Sequence, residues 1–390
     1  MEHNVLLASD SVNIMGGDES ALLALGDLCR KNKTSLIIAD AAGLAGRVFC
    51  DFGETFTVND KDGTEPKAVL ISSVVRDEEG LIVTCHDETR HELETGDFVK
   101  FTEIQGLDGL LTQEFKIKVT GPFAFVISAD GVVGERSATT GWVHEVKKPI
   151  QISFDSLRDS IENPGEFVLT DFGKFERPAT YHACFRALFT YITDAKSMPK
   201  PHDNADADKF LELALKANPD LEKEIAKRFA NTCRASLQPV CSSVGAMAAQ
   251  EAVKAVSGKF SPVKQWWYLC LQECLPAGDI TDAAIVDNRY ASQVACFGQQ
   301  FQDKMLKQKW FLVGSGAIGC ELLKNFAMMG LGNLVVTDMD TIERSNLNRQ
   351  FLFRSWDVGK HKVSFFTSGF DGELCWKNFL IDHFYCGQIK

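Results

Sequence analysis

The sequence predicts an α/β fold that encloses an all-β insert and a helical insert, and three observations predict it. The first fifty residues have the pattern strand, helix, strand. Short strands separated by turn residues then continue to about residue 146, and helical patterns follow up to residue 229. Finally, a buried-strand pattern leads directly into a glycine-rich turn and a helix near residue 314, which is typical of a Rossmann-like unit.

The composition is that of a globular protein with room for two or three domains. Of the 390 residues, 45% are hydrophobic and 24% are charged, so the chain can bury substantial cores. Acidic residues outnumber lysine and arginine by 53 to 41, and the net charge of -12 provides no positive field for a phosphate backbone. We therefore expect no nucleic-acid partner. No apolar run is long enough to span a bilayer and no basic signal region begins the chain, so we also expect no membrane partner.

The twelve cysteines are scattered, mostly within apolar runs such as Val48-Phe49-Cys50. Such positions are typical of buried, reduced thiols. The close pair Cys270 and Cys274 lacks the spacing of a zinc site. We therefore predict no zinc centre.

The first 49 residues are predicted to form a parallel βαβ unit. Residues 5–8 and 35–39 are apolar runs of strand length, and the leucines between them, over residues 22–28, are near helical spacing. The first strand begins so early that little chain precedes it to form a sheet. We therefore expect an upstream part of this domain to be missing.

Residues 50–146 are predicted to form the all-β insert, a small barrel. The pattern indicates six strands, and turn residues such as Asp62-Gly63 separate them; the strands are at 54–58, 67–75, 81–85, 97–102, 114–119 and 123–127. Residues 147–229 then become helical, which predicts a bundle. The segment 230–295 contains a helix rich in small residues and a buried strand at 266–269.

The motif that carries the functional prediction begins at residue 310. The run Trp310-Phe311-Leu312-Val313 is followed at once by Gly314-Ser315-Gly316-Ala317-Ile318-Gly319 and by a helical stretch. Glycines in such a turn let backbone amides approach a phosphate at the positive end of the helix. Asp338 ends the next strand, 19 residues past the last glycine, where a carboxylate can bind a ribose hydroxyl. The alternative is a glycine turn that only packs a strand on a helix.

The residues after Asp338 favour ATP over a nicotinamide cofactor. The stretch 338–353 places acids, two asparagines and an arginine between apolar runs. Arg349 and Asn346 are suited to contact a triphosphate, and Asp340 is suited to hold or orient Mg²⁺ through water. The alternatives are a Rossmann dehydrogenase, which would need an acid–base residue near the cofactor, and a charged loop that only caps the sheet.

These residues resemble the active adenylation domain of the ubiquitin-activating enzymes, whose core is shared with the MoeB/ThiF-type adenylating proteins. The resemblance covers residues 5–362 and rests on these segments: 313–319, 321–327 and 338–353 for the adenylation domain, 49–54 and 94–99 for the first catalytic-cysteine half-domain, 172–178 for the four-helix bundle, and 248–251 and 258–260 for the inactive adenylation domain.

The resemblance implies a division of the chain into six segments. They are the end of the first half of an inactive adenylation domain (1–49), the first catalytic-cysteine half-domain (50–146), a four-helix bundle (147–229), the return segment of the inactive domain (230–295), the start of the active adenylation domain (296–362) and a divergent tail (363–390).

The resemblance also implies a site and a reaction. The implied ATP-binding residues are Gly314, Gly316, Ala317, Asp338, Asn346, Arg349 and Lys362. Gly314, Gly316 and Ala317 would cradle phosphate and adenine. Asp338 would bind ribose, and Asn346, Arg349 and Lys362 would neutralise phosphate charge. The implied reaction is attack of the ubiquitin C-terminal carboxylate on the α-phosphate of Mg-ATP, followed by capture of ubiquitin on a cysteine as a thioester.

The same resemblance implies the cofactors, partners and location. ATP and Mg²⁺ are the expected cofactors, with Asp340 as the metal ligand. Ubiquitin and the ubiquitin-conjugating enzymes are the expected partners. We expect a monomer in the cytoplasm and nucleus.

The resemblance stops after Lys362. The family continues with further adenylation elements, the half-domain that holds the catalytic cysteine, and a ubiquitin-fold domain, so no cysteine of this chain is assigned as catalytic. We expect residues 363–390 to come from a read-through intron or a shifted frame, with a genuine divergent tail as the alternative. The chain alone is then expected to be inactive, and the alternative function is a non-catalytic product that binds ubiquitin or a partner subunit.

Overall fold

A computed structural model describes residues 4–363, except residues 79, 87–89, 135, 136 and 170. Almost all of the predicted tail, 363–390, therefore lies outside the described residues. The described chain divides into two compact units. The larger unit comprises the residues up to Asp51, from Asp155 to Ala252 and from Val263 onward, and the smaller unit comprises Phe52–Phe154 and Val253–Pro262.

The larger unit begins with the predicted parallel βαβ arrangement. Strand β1 (Val5–Ser9) pairs in parallel with β2 (Ser35–Ala42), and helices α1 (Ser11–Ile14) and α2 (Glu19–Lys31) connect them. Helix α2 begins where the Asp18 side chain accepts hydrogen bonds from the first-turn amides, as an N-cap residue does. The predicted parallel pairing is confirmed.

Two antiparallel strands extend this sheet. Strands β3 (Ala45–Asp51) and β15 (Trp266–Cys270) complete a four-stranded sheet in the order β1-β2-β3-β15. Every residue of β3 is buried, so its sequence lacks the alternation that marks a half-buried strand. For this reason the sequence pattern did not reveal β3.

Eight further α-helices lie in the described part of the chain, all of them wholly or mostly in the larger unit. They are α3 (Leu157–Glu162), α4 (Arg177–Ala195), α5 (Asn204–Ala217), α6 (Lys223–Thr232), α7 (Gln238–Ser257), α8 (Ala291–Phe297), α9 (Gln299–Lys307) and α10 (Ala317–Met329). Helices α3 to α6 share one apolar core with the sheet. Tyr181 and Phe185 on α4 and Phe229 on α6 pack in the same core as Phe49 and Trp266 of the sheet. Helices α3 to α6 form the predicted helical insert.

A buried ion pair joins the two central strands of the sheet. Arg47 Nε lies 2.8 Å from Asp40 Oδ2, and both side chains are almost fully buried. Asp40 also accepts hydrogen bonds from the amide and the hydroxyl of Ser11. The Arg47 guanidinium carbon lies 4.6 Å from the ring centre of Phe185 and 5.9 Å from that of Trp266. Each charge is thus compensated at a site that excludes water.

His182 on α4 should make the stability of this core depend on pH. Its Nε2 donates to the carbonyl oxygen of Ile161 at 2.8 Å, and its Nδ1 accepts from the Tyr268 hydroxyl at 2.7 Å. Burial lowers the pKa of His182 to about 4, and the charges of Arg47 and Arg186 act in the same direction. The hydrogen bond to Ile161 acts to raise this pKa but is outweighed. An unfolded histidine titrates near 6.5, so on acidification the unfolded chain binds the proton first.

The free energy of unfolding should therefore decrease as the pH falls from about 6.5 to about 4, by roughly 3 kcal/mol at most. Urea denaturation at several pH values would measure this slope for the natural chain and for His182→Gln, whose carboxamide keeps hydrogen-bonding atoms but does not titrate. We expect a shallower slope in the variant. Equal slopes would show that another group carries the pH dependence.

The smaller unit contains a closed barrel, as predicted. Among the described residues, six antiparallel strands follow the order β5-β13-β7-β9-β10-β6, and β5 pairs with β6 to close the ring. They are β5 (Ala68–Asp77), β6 (Gly80–Cys85), β7 (Phe98–Thr102), β9 (Phe115–Gly121), β10 (Ala124–Ile127) and β13 (Trp142–Val146). Alternate residues, such as Val99 and Phe101, are buried in its core, as the period of a strand requires.

Shorter strands complete this unit. They are β4 (Phe56–Val58), β8 (Leu107–Asp108), β11 (Val133–Gly134), β12 (Ser137–Ala138) and β14 (Ile150–Ile152). The strand predicted at residues 54–58 is β4, and it pairs with β14 in a separate two-stranded sheet rather than in the barrel. This pairing extends the unit to Phe154, beyond the predicted insert, 50–146.

The last sheet of the larger unit positions the predicted nucleotide site. Strands β16 (Lys309–Val313) and β17 (Asn333–Thr337) pair in parallel, and α10 connects them. Cys320 and Leu323 of the helix pack on Leu334 and Val336 of β17. The strand, turn and helix of the motif therefore have the predicted order.

The ten described cysteines are free thiols, and seven of them are buried. Cys320, which follows the glycine turn, is one of these, and burial raises the pKa of its thiol. In the described part of the chain, no helix combines the length and the apolar character needed to cross a bilayer.

Candidate nucleotide-binding site

The glycine turn lies between β16 and α10. Gly314 has a φ of 97°, in the left-handed region that favours glycine. A Cβ added to Gly319 would lie 2.3 Å from the Gly314 carbonyl oxygen, so the helix packs directly on the turn. Gly316 is the N-cap of α10, and the nearest atom to a Cβ built there is Nε2 of Gln350, at 4.0 Å. The first and last glycines are therefore required by the backbone, whereas Gly316 has open space beside it.

Asp338, directly after β17, anchors this turn. Its Oδ2 accepts hydrogen bonds from the Ser315 amide at 2.6 Å and from the Ser315 hydroxyl at 3.0 Å, and its Oδ1 accepts from the Asp340 amide at 2.9 Å. Burial acts to raise the pKa of Asp338, but these hydrogen bonds and the Lys362 ammonium hold it below its ordinary value. Asp338 is therefore ionised and holds the turn. Its contact with ribose stays a prediction.

Lys362 brings a buried positive charge to the same place. Its Nζ lies 2.9 Å from Asp340 Oδ2 and 4.0 Å from Asp338 Oδ2. The Lys362 side chain is only 6% exposed, whereas that of Asp340 is 68% exposed. The Lys362 amide also donates to the Asp340 carbonyl oxygen at 3.0 Å. The structure thus groups three predicted residues, Asp338, Asp340 and Lys362, beside the glycine turn.

Asn346 and Arg349 form hydrogen bonds within their own segment. The buried Asn346 accepts a hydrogen bond from the Glu343 amide at 3.1 Å, which caps a short 3-10 turn, Arg344–Asn346. The exposed Arg349 donates through Nη1 to the Ser345 carbonyl oxygen and to Asn348 Oδ1, both at 3.0 Å. A guanidinium has five N–H donors, so Arg349 keeps donors for a ligand. The predicted phosphate contacts of both residues stay predictions.

Gln350 is a site residue that the sequence analysis missed. It is buried, and its Oε1 has no hydrogen-bond partner among the described residues. Its Nε2 lies beside Gly316, so the carboxamide faces the open side of the turn. The oxygen has almost no accessible surface, so Nε2 is the part of this carboxamide that lies toward the open space beside Gly316. The sequence feature that could have identified this residue is its position directly before the apolar run Phe351-Leu352-Phe353.

Metal ligands are sparse at this site. Within the described ranges, no group of three or more histidine, cysteine, aspartate or glutamate side chains is arranged to hold a metal ion. The exposed Asp340 carboxylate is the predicted ligand. Mg²⁺ is commonly held by one or two carboxylates together with substrate phosphates, so this arrangement fits an ion that arrives with a nucleotide.

Side chains from outside the motif hold the C-terminal end of α10. Arg289 donates to the Ala327 carbonyl oxygen at 2.7 Å, and Gln302 donates to that of Met329 at 3.1 Å. Gly330 follows the helix in a left-handed conformation, as is common after a helix C-terminus. The helix is therefore fixed at both ends, which keeps its N-terminus in place beside the site.

Three family models match the chain. The ThiF family model matches residues 290–368, the model of the ubiquitin-activating enzyme E1 four-helix bundle matches residues 148–218, and that of the ubiquitin-activating enzyme E1 FCCH domain matches residues 78–147. The ThiF match contains the whole glycine turn together with Asp338 and Lys362. The other two matches fall on the helical insert and the barrel.

Curated relatives match most of the chain. Ubiquitin-like modifier-activating enzyme 1 of Mus musculus is 45% identical over 366 residues, which cover 88% of this chain and 34% of the relative. The Homo sapiens protein of that name is 44% identical over 87% of this chain and 34% of its own length. Ubiquitin-activating enzyme E1 1 of Schizosaccharomyces pombe is 43% identical over 87% of this chain and 35% of its own length. The chain spans about a third of the length of these relatives.

Solved structures match a smaller part. A crystal structure of E. coli MccB with AMPCPP and SeMet MccA is 34% identical over 21% of this chain and 26% of its own, with a TM-score of 0.20.

Proposed function

The chain belongs to the ubiquitin-activating enzyme family, and we propose that it serves the ATP-dependent adenylation of the C-terminal carboxylate of ubiquitin, the first step of ubiquitin conjugation. The observation that carries the proposal is the open glycine turn beside a buried ammonium, within the segment that matches the ThiF family. In this proposal a cysteine thiolate then attacks the acyl carbon of the ubiquitin adenylate, which forms a thioester and releases AMP. That cysteine is not assigned in this chain.

The geometry fits the chemistry of adenylation. A carboxylate oxygen attacks the α-phosphorus of ATP, the bond to the bridging oxygen breaks, and pyrophosphate leaves. Both reactants are anions, so the site must supply positive potential where they meet. The N-terminus of α10, which begins at Ala317, supplies backbone amides, and Lys362 supplies a buried cation. Arg349 adds an exposed guanidinium in the same proposal.

The remaining assignments belong to this proposal. Asp338 binds ribose in addition to anchoring the turn, Asn346 supports the phosphates, and Asp340 binds Mg²⁺ that enters with the nucleotide. Gln350 joins them as a donor, through its Nε2 near Gly316. The proposed partners are ubiquitin and the ubiquitin-conjugating enzymes, and the proposed setting is a monomer in the cytoplasm and nucleus.

Lys362→Met should weaken the binding of Mg-ATP to the chain by about tenfold or more, since a buried cation beside a phosphate is worth roughly 1.5–3 kcal/mol. Isothermal titration calorimetry measures this effect directly. The matched control is Lys360→Met, because Lys360 is an exposed lysine, paired with Asp357. We expect it to bind Mg-ATP like the natural chain. Equal affinities in all three proteins would contradict the role of Lys362.

Ubiquitin-dependent exchange of labelled pyrophosphate into ATP tests the reaction. The control is ubiquitin whose C-terminal carboxylate is converted to an amide, which cannot attack the phosphate. Exchange that requires the free carboxylate supports adenylation. Binding of ubiquitin without exchange supports instead the second candidate, a non-catalytic protein that binds ubiquitin or a partner subunit. A chain that binds neither ATP nor ubiquitin would overturn both.

A further inference from the structure

The ion pair between Lys362 and Asp340 joins a buried side chain to an exposed one. The Lys362 ammonium lies 2.9 Å from Asp340 Oδ2, and Lys362 is buried whereas Asp340 is largely exposed. Lys362 is also the one ion-pair partner of Asp340 in the part of the chain that the structure describes. The Asp340 carboxylate therefore covers the ammonium on its solvent side, and it can rotate away without breaking another ion pair.

Asp338, the second carboxylate near this ammonium, is held in place. Its Oδ2 lies 4.0 Å from the Lys362 Nζ and accepts hydrogen bonds from the amide and the hydroxyl of Ser315. Together with Asp340, it places two negative charges around one positive charge. This local excess of negative charge repels a polyphosphate that arrives without a metal ion.

The exposed Asp340 is the carboxylate that the proposed function assigns to Mg²⁺. A carboxylate that binds Mg²⁺ no longer neutralises Lys362, whose ammonium then has N–H donors for a phosphate oxygen. We propose that Asp340 blocks Lys362 in the nucleotide-free chain, and that a divalent cation bound by Asp340 frees Lys362 to bind phosphate. This inference rests on the proposed function. It makes Asp340 the residue that selects the metal complex of the nucleotide over the free nucleotide, because metal and phosphate then favour each other's binding.

Asp340→Ala should change the affinities for metal-free ATP and for Mg-ATP in opposite directions. Calorimetric titration with ATP in the presence of EDTA should show binding about tenfold tighter than to the natural chain, because the freed Lys362 ammonium donates to the phosphates and one repulsive charge is removed. Titration with Mg-ATP should show weaker binding, because the metal loses a carboxylate ligand. An Asp340 side chain that only supported the fold would instead weaken the binding of both ligands.

The same substitution in the Lys362→Met background identifies the source of the gain. Asp340→Ala should tighten metal-free ATP binding much less in this background than in the natural chain, since no ammonium is left to be freed. The matched control for charge alone is Glu321→Ala, which removes an exposed carboxylate of α10 that is paired with Lys324. We expect this control to change both affinities by less than about twofold.

Titration with inorganic triphosphate separates this inference from the proposed function, because triphosphate needs no site for ribose or adenine. Tighter metal-free binding of triphosphate to Asp340→Ala, with no binding of Mg-ATP to the natural chain, would support the inference and overturn the proposed function. Binding of Mg-ATP to the natural chain without any gain in Asp340→Ala would overturn the inference alone. An equal gain in the Lys362→Met background or in Glu321→Ala would do the same. No binding of any of these ligands to any of these proteins would overturn both.

Discussion

Arg47→Met is expected to lower the free energy of unfolding of the larger unit by about 3–5 kcal/mol. The substitution keeps the length of the side chain but leaves the buried Asp40 carboxylate without its cation. The two hydrogen bonds from Ser11 remain, but they do not neutralise a charge at a site that water cannot reach. The aromatic rings around the guanidinium, including Phe185 and Trp266, also lose their cation–π contacts.

Urea denaturation followed by tryptophan fluorescence measures this loss, since Trp266 lies in the same core. The matched control is Arg158→Met. Arg158 lies 2.6 Å from Asp27, but both side chains are 53% exposed, so we expect a loss below about 1 kcal/mol. The double substitution Asp40→Leu with Arg47→Met should recover much of the stability, since no buried charge is then left unpaired. Similar losses for the two arginine variants would show that burial does not determine how much an ion pair contributes to the free energy of unfolding.

Gly319→Ala should destabilise the segment around the glycine turn by up to about 3 kcal/mol and also weaken nucleotide binding. The new Cβ would lie 2.3 Å from the Gly314 carbonyl oxygen, so the helix and the turn must move apart. Gly316→Ala differs, because 4.0 Å separates its Cβ from the nearest atom. Its cost as an N-cap substitution should stay below about 1 kcal/mol. It should nevertheless weaken Mg-ATP binding, because the methyl group enters the space that the proposal gives to the phosphates.

Hydrogen-exchange mass spectrometry over residues 309–329 separates the two effects. We expect faster exchange in Gly319→Ala and near-normal exchange in Gly316→Ala, with reduced Mg-ATP affinity by calorimetry in both. Equal protection in the two variants would show that the close approach of Gly319 to the turn is not what holds α10. Normal affinity in Gly316→Ala would place the nucleotide elsewhere.

Several elements of the fold could be predicted because their signals are local. The apolar runs before and after α2 predict the parallel pair β1 and β2, and the turn residues between short strands predict the barrel. Other elements have no local signal. Strand β3 is buried throughout and shows no alternation, and the pairing of β4 with β14 joins segments about ninety residues apart, so no short window of sequence reveals it.

The residues of the candidate site also fall into two groups, those with a local sequence signal and those without one. Spacing along the chain was enough to identify the glycine turn and Asp338, because a strand, a tight turn and a helix N-terminus require particular residues in a fixed order. The resemblance to a family added Lys362, but its burial against Asp340 appeared only in the folded chain. The position of Gln350 beside Gly316 likewise had no counterpart in the spacing.

The sequence by itself therefore determined the α/β class, the barrel, the glycine turn and the family, since each depends on periodicity, local backbone geometry or shared motifs. Only the tertiary structure decided which charges are buried together and which buried polar atoms lack partners. Arg47 contacts Asp40 because strand pairing places them opposite each other, and the carboxamide of the buried Gln350 lies beside Gly316, far from it in the sequence. Such contacts depend on how the elements pack in three dimensions, and burial then determines the energy of each charge and hydrogen bond.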